Sequence, residues 1–577
     1  MNIREALDSP VLVIDTEGNA KDYRHDKLAQ TMGVAPAWRR TPTTPIASDY
    51  YPYHHIIGEN LSDAHLREVT QVIEEHPILV MHNAKHDILA LENLGMNVRD
   101  KFFYDTMLMG HWVNENMLSK GLDFMSQLYG GMPKNRPDIM KKIIKIVGWD
   151  HIPSKMMGEY SANDAFITYE LFERLYRDFE EEGYTGELWE FEQQFLRLVL
   201  RMESHGIGVN TDICIAESER GLIRMEEISA SLNGLNPNSP KDLEVLLIDA
   251  LGLDPFKWTD TGRISFDREA MEHYEEELEL IDNRTANLVL EYRGWLKARS
   301  SYYEAYLRLI SDEGNLHPNF KLHGTRTGRL SCAQPNLQQI PRVTAKDWNG
   351  NAKLALQARI GYNLFDIDYS NLEFRMGAIY ANEPNMIEPL VNGFKPFDAM
   401  AELMFGIDWT QEQRQLCKTF TYMTSYGAGI AKVARIMHLE QDEAERLRAD
   451  FFNAYPRLKS ATRRATMKAE TRGYALLWSG RRRHFEDARG SHKAFNAVIQ
   501  GGSAELVKRV MLIVGDIIDW DTCKMLLQIH DSVVFEIKQG YESYWLPILE
   551  MTMQNVALHH PKFGLVPFPV EAKPWGK

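Results

Sequence analysis

Cysteine is scarce in this chain: there are four in 577 residues, at 214, 332, 417 and 523. They are far apart and form no CxxC pair. A disulfide framework or a structural zinc site is therefore not expected, and a reducing cytoplasm is the default compartment. No apolar run approaches the ~20 residues that a membrane helix needs, and residues 1–8 lack a signal-peptide core, so no membrane partner is expected. Internal repeats and low-complexity tracts are absent. So is a GxxxxGK[ST] loop, which excludes a helicase motor built on that phosphate cradle. Positive charge is in deficit, with a net charge of −16. That argues against a surface that binds nucleic acid all over, yet it allows a cleft with locally concentrated cations. Arg463–Arg464, the run Arg481 to His484, and Arg414 with Lys418 are such concentrations, although a solvated face explains any one of them alone.

The length suggests roughly four domains. Residues 1–186 alternate short apolar strands with helices, an α/β pattern. Strands are expected at Val11 to Ile14, His55 to Ile57 and Ile78 to Met81, a loop at Thr41 to Pro45, and a closing helix from about 159 to 181. Residues 187–314 read as helical, with polar interruptions at 233–240 and 259–263, which suits an arm with a mobile tip as well as a plain helical linker. Strand-rich pieces at 315–382 and 516–577 flank a helical stretch at 383–515, which gives one discontinuous sheet domain with a helical insertion.

Two sets of carboxylates carry chemistry. In the first, Val11 to Glu17 is a buried-type strand ending in Asp-x-Glu, and a strand period of two puts Asp15 and Glu17 on one face. Asn83 and Asp87 follow the strand at 78–81, and Tyr160 and Asp164 share a helix face at i, i+4. Carboxylates are hard oxygen ligands suited to Mg²⁺ or Mn²⁺. Four acids in this order, with a tyrosine four residues before the last, resemble the tyrosine-bearing DEDD exonucleases. The resemblance implies that Asp15, Glu17, Asp87 and Asp164 hold metals and that Tyr160 positions the attacking water.

In the second set, the strand at 363–369 carries Asp368, and Met525 to Ile537 reads as a hairpin with its turn at His530–Asp531. Between them, Thr410 to Gln413 is a capping-box pattern that starts a helix, and Gly427 suits its end. Arg414, Lys418, Tyr422 and Tyr426 lie four apart, so each is offset by only ~40° and they form one stripe. Two aspartates able to share metals, beside a cationic helix, are what phosphoryl transfer to a nucleic-acid 3′ end needs.

With these motifs the chain is identified as resembling a family A DNA polymerase over essentially its whole length. The fold implied is α/β and α+β multidomain: a ribonuclease H-like 3′→5′ exonuclease (1–186), a thumb (187–314), a palm in two parts (315–382 and 516–577) and fingers (383–515). The resemblance implies that Asp368, Asp531 and the carbonyl of Tyr369 bind metal, and that Glu373 is a steric gate against ribose. Arg414 and Lys418 would contact the triphosphate, Lys418 also counting as catalytic, with Tyr422, Tyr426 and His530 completing the nucleotide site. Arg329, Asn336, Gln338, Asn496, Gln500, Arg299 and Ser300 would contact DNA.

Three positions depart from the pattern. Asn371 stands where glutamine is common, His492 where arginine is usual, and Ser532 where a glutamate usually follows the aspartate. The implied cofactors are two Mg²⁺ per site, with Mn²⁺ as a substitute. The implied partners are primer-template DNA, deoxynucleoside triphosphates and replisome proteins such as a helicase-primase and a single-strand binding protein. The exonuclease strand starts at residue 11, so no 5′ nuclease is expected ahead of it. That compact layout suggests a bacteriophage replicase working in the host cytoplasm. A single-subunit RNA polymerase would lack Glu373 and the DEDD set, a ribonuclease-D-like nuclease would leave residues beyond 185 idle, and a silent scaffold would have lost the acids.

Overall fold

The computed structural model describes residues 2–19, 29–134, 137–280, 283–341, 343 and 347–576. The N-terminal unit is a mixed six-stranded sheet. Its strands are β1 (Leu12–Gly18), β2 (Thr31–Trp38), β3 (Ala47–Ser48), β4 (Tyr51–Pro52), β5 (Ile78–Met81) and β6 (Phe102–Asp105), in the order β3-β2-β1-β5-β6 with β4 beside β2. β1 pairs antiparallel with β2 and parallel with β5, and β5 pairs parallel with β6. Helix α1 (Ala84–Asn93) follows β5, and α2 (Ser154–Glu181) lies across β1 and β2. The strand expected at His55 to Ile57 is not one. Ile56 is 65% exposed there, and the short strands lie just upstream at 47–48 and 51–52. β2 was not anticipated, because Gly33 and Pro36 lower the strand signal of an otherwise apolar run. The loop at 41–45 is present, and the closing helix begins five residues earlier than expected.

Helix α3 (Glu187–His205) seals this unit: Trp189 stacks on Tyr104 at 5.8 Å and packs edge-on against Trp112 and Phe179. Its other side meets the C-terminal half, where Glu192 pairs with Lys508 at 3.4 Å, both buried. Next come α4 (Thr211–Ser231), α5 (Arg268–Glu279) and α6 (Thr285–Ala298). Their outer part has a small core of its own, from Ile228 through Leu247 and Tyr274 to Val289, separate from the core shared by the rest. An arm with an independent core can shift as a body without opening the main one.

The C-terminal half is built on an antiparallel four-stranded sheet. Its strands are β7 (Tyr362–Tyr369), β8 (Cys523–Ile529), β9 (Ser532–Lys538) and β10 (Val570–Pro574), in the order β8-β9-β7-β10. Opposite Asp368 stand Ser532 on β9 and Glu571 on β10. Between β7 and β8 the chain is helical, apart from a two-stranded hairpin at Tyr474–Leu476 and Arg482–His484. α7 (Leu372–Ala381) leaves β7, α8 (Gln411–Ser425) carries the cationic stripe, and α9 (Ala494–Ile517) packs against α7.

The hairpin corrects one expectation. The run Arg481 to His484 is not free charge for nucleic acid, because protein carboxylates take it up: Glu505 pairs with Arg481 at 3.5 Å, and acids of the N-terminal unit take the rest. Arg483 donates to Glu115 at 2.6 Å, and His484 donates to the same carboxylate through its backbone N–H at 2.6 Å. Arg482 pairs with Glu182, and Arg481, almost fully buried, lies over the Trp112 ring at 4.8 Å. The run fastens the two halves of the molecule together.

Candidate active sites

In the N-terminal unit, donor oxygens of Asp15, Glu17 and Asp164 lie within 4.8 Å of one another. β1 delivers the first two from one face, and α2 delivers Asp164 across the sheet. Ser161 donates to Asp15 at 2.9 Å. Asp87, at the start of α1, lies outside this triad. It is buried, accepts from Thr16 at 2.7 Å, and adds its charge to the field at Glu17. Burial holds all four acids high, and repulsion within the group adds to it at Asp15, Glu17 and Asp87. Asp15 is pushed up to about 7, by burial first and by Asp164 next, and Glu17, Asp87 and Asp164 are raised too. Two buried carboxylates and a part-buried one converging on one point repel each other unless a cation joins them, so hard-oxygen ligation of a divalent metal fits these residues.

Two groups here escaped the sequence reading. Lys134 pairs with Asp164 and donates to Tyr160 Oη at 3.1 Å, with its ammonium 5.1 Å from that ring. Asp105 accepts from the backbone of Asn83 and Ala84 at 3.0 and 2.9 Å, which holds the left-handed turn at Asn83 that launches α1. Lys134 follows a Gly-Gly-Met-Pro stretch, which carries no signal of a site.

The second site is a cleft of about 860 Å³ at the end of the four-stranded C-terminal sheet. It is lined by Asp368, Tyr369, Glu373, Lys418, Tyr422, His530 and Asp531, with Arg329 and Gln338 at its wall. β7 carries Asp368 one residue before its end, and the tight turn between β8 and β9 brings Asp531 to it, with His530 in the left-handed region at φ 55°. Asp368 is raised to about 6, by burial first and then by the charges of Asp366 and Asp531. Tyr369 anchors the strand by donating to the carbonyl of Met553 at 2.5 Å. Glu373, in the first turn of α7, accepts from both Arg329 and the hydroxyl of Tyr426, and Arg329 also reaches Asp531 at 3.3 Å.

The capping box at Thr410 and Gln413 starts α8 as expected, and Gly427 (φ 77°) follows its end. The stripe is only partly in the cleft. Lys418 and Tyr422 line it, whereas Arg414 is turned onto Asp398. Tyr422 stacks on Tyr426 at 5.7 Å and meets Phe397 edge-on at 5.8 Å. No sequence signal paired Arg414 with Asp398, sixteen residues away.

The expected DNA-contact residues divide. Gln338 is bound to Gln528 at 2.8 Å, and Asn336 caps the short turn before it by accepting from the Gln338 N–H. Asn496 and Gln500 share a half-buried face of α9, and Asn496 keeps a buried side-chain oxygen without a hydrogen-bond partner. Arg299 turns onto Glu304 at 2.6 Å, and Ser300 donates to the carbonyl of Leu296.

Comparison with known proteins agrees with this geometry. Residues 216–574 match DNA polymerase family A, and residues 2–180 match a 3′-5′ exonuclease. The chain belongs to DNA polymerase family A. It is 26% identical to DNA polymerase I of Rhizobium leguminosarum over 96% of this chain and 58% of that protein. It is 27% identical to the DNA polymerase I of Pseudomonas aeruginosa over 93% of this chain and 60% of that one. The chain thus spans less than two thirds of these relatives. In fold it is similar to the polymerase domain of Pol1 from M. smegmatis, solved in complex with DNA primer-template and dNTP. The TM-score is 0.84 and the identity 21%, covering 100% of this chain and 97% of that one. An exonuclease domain followed by a family A polymerase domain is therefore the architecture. No helix among the described residues is long and apolar enough to cross a membrane.

Proposed function

We propose that this family A member is a template-directed DNA polymerase that extends a primer 3′ end and proofreads with its own 3′→5′ exonuclease. One observation carries the reading: a single cleft gathers Asp368, Asp531, Glu373, Lys418 and Tyr422, while a separate carboxylate triad stands in the N-terminal unit.

Two divalent cations, Mg²⁺ or in substitution Mn²⁺, would be held by Asp368, Asp531 and the carbonyl of Tyr369 in the palm, and by Asp15, Glu17, Asp87 and Asp164 in the exonuclease. Bound there, such ions supply charge neutralisation at the transferring phosphate and lower the barrier to oxygen nucleophile formation. The remaining work falls to this chain's own groups. Lys418 faces the triphosphate and offsets its charge, and Arg414 joins it on release from Asp398. Tyr422 and Tyr426 form the wall against which the base packs, with His530 at the turn. Glu373, braced by Arg329 and Tyr426, fills the space beside the sugar C2′ and excludes a hydroxyl there. Arg329, Asn496 and Gln500 face the primer-template minor groove, Asn336 and Gln338 brace the turn beside Asp531, and Arg299 and Ser300 lie on the thumb toward the duplex backbone. In the exonuclease, Tyr160 orients water toward the terminal phosphate.

The relatives named above are bacterial, and a bacteriophage genome-replicating role or contacts with helicase-primase and single-strand binding protein draw no support from them.

The test is primer extension on a DNA template with deoxy- and ribonucleotides supplied separately, beside degradation of single-stranded DNA. Asp368→Ala or Asp531→Ala should abolish extension and spare degradation, and Asp15→Ala with Glu17→Ala should do the reverse. If either pair of variants affects both activities equally, or neither, the two-site reading fails.

A further inference from the structure

Among the described residues that line the palm cleft, one carboxylate is not used by the reading above; Glu571, across from Asp368 on β10, is largely exposed and paired with Lys573 at 2.8 Å. Asp366 lies two residues before Asp368 on β7, so the strand's period of two puts both side chains on the same face. It lines the same cleft as Asp368 and Asp531. Its Oδ1 is buried and has no hydrogen-bond partner, which is costly for a carboxylate oxygen unless a cation completes it. Its Oδ2 reaches only as far as Lys353, at a loose 3.5 Å. Lys353 does not depend on that contact, because its ammonium sits 4.2 Å from the Trp575 ring, whose Nε1 donates to the Lys353 carbonyl at 2.9 Å.

The register adds a second observation. Directly across from Asp368, on the same sheet face, stands Ser532, whose hydroxyl is spent on the carbonyl of Ile529 at 3.1 Å. Position 532 thus brings no charge to a cleft with two metal-type aspartates. Asp366 stands diagonally from Ser532, a separation of roughly 7–8 Å that side chains can bridge across a sheet. An acid at either position would lie beside Asp368, one along the strand and the other across it.

Resting on the reading of this cleft as a metal-dependent polymerase site, we propose that Asp366 is a third carboxylate of its cation site, supplying from β7 the negative charge that Ser532 does not supply from β9. Lys353 is then the counter-ion that holds Asp366 while the cation is away. An Asp366 kept only for its ion pair with Lys353 would be indifferent to what stands at 532.

The measurement is Mn²⁺ binding followed by electron paramagnetic resonance of the free ion. It uses the full chain carrying Asp15→Ala and Glu17→Ala, so that the N-terminal site does not contribute. Asp366→Asn should weaken Mn²⁺ binding at least fivefold, and adding Ser532→Glu to it should restore the affinity to within about twofold. Lys353→Met should leave binding equal or tighter. Unchanged affinity in Asp366→Asn, no rescue by Ser532→Glu, or equal weakening in Lys353→Met would overturn the proposal. Should Asp366→Asn fail to fold, Asp366→Ser with Ser532→Glu, which moves the acid across the strand pair, must bind Mn²⁺ nearly as well as the parent. Loss of binding there also overturns it. Failure of the underlying reading looks different: the parent itself would then bind Mn²⁺ no better than Asp368→Ala.

Discussion

Replacing Asp15 by asparagine should make the metal-free protein more stable while removing the proposed nuclease activity. The carboxyl of Asp15 is held from 3.8 up to about 7, by burial and by Asp164. A rise of that size corresponds to about 4 kcal/mol carried against folding by the charged form. Asp15 keeps some contact with solvent and shares its repulsion with Glu17 and Asp164, so about 1–2 kcal/mol is the net gain expected from neutralising it. Asparagine is nearly isosteric, and its oxygen can still accept from Ser161, now at 2.9 Å from Asp15.

The sign follows from the folded value lying above the unfolded one. The parent's stability from this group is fully present below about 3.8 and is lost as pH rises through about 7. The advantage of Asp15→Asn should therefore be small at pH 5 and full at pH 8. The assay is thermal unfolding in chelator at both pH values, where the variant should melt roughly 2–4 °C higher at pH 8. Adding Mg²⁺ should raise the parent's melting temperature and move the variant's far less, because an ion that binds only the folded state stabilises it by mass action. A variant that melts below the parent at pH 8 in chelator, or by the same margin at both pH values, would refute the reasoning.

Glu373→Ala should narrow the ratio of kcat/KM for deoxy- over ribonucleotides by tenfold or more, since Arg329 and Tyr426 hold that side chain in place; single-nucleotide incorporation reads it. Tyr422→Phe should lower the use of dideoxynucleotides relative to deoxynucleotides at least tenfold, if the phenol substitutes for the absent 3′ hydroxyl with a charged-group hydrogen bond of roughly 1.5–3 kcal/mol; the same assay decides it. Glu115→Gln should cost about 2–4 kcal/mol in denaturant titration, because it leaves the Arg483 guanidinium without its buried partner. Burial alone would raise the Glu115 carboxyl, but the hydrogen bond from His484 and the charges of His484 and Arg483 outweigh it and hold it below its usual value. Its contribution is present above about 4.5 and lost as pH falls through the lowered value, so the gap between parent and Glu115→Gln should close in acid.

What could be read from the sequence was local. Asp15 and Glu17 announce themselves as a strand end, Thr410 and Gln413 as a helix start, and His530–Asp531 as a hairpin turn, because each is written within a few neighbouring residues. What could not be read depended on distance or on weak propensity. β2 hides behind Gly33 and Pro36. Lys134 enters the triad from a loop with no pattern. Arg414 looks like a free cation until Asp398 is folded against it. The run Arg481 to His484 carries the charge density of a nucleic-acid contact, and only the fold shows that Glu115 and Glu182 have already claimed it.

That last pairing bears on how such a chain is inherited. Arg483 and Glu115 are separated by 368 positions in sequence, in units that match two different family descriptions. A drift at one leaves a stranded charge at the other, so the two should vary together among descendants of this gene. Recombination that joins an exonuclease unit from one lineage to a polymerase unit from another would be tolerated only where acid and arginine arrive as a matched set.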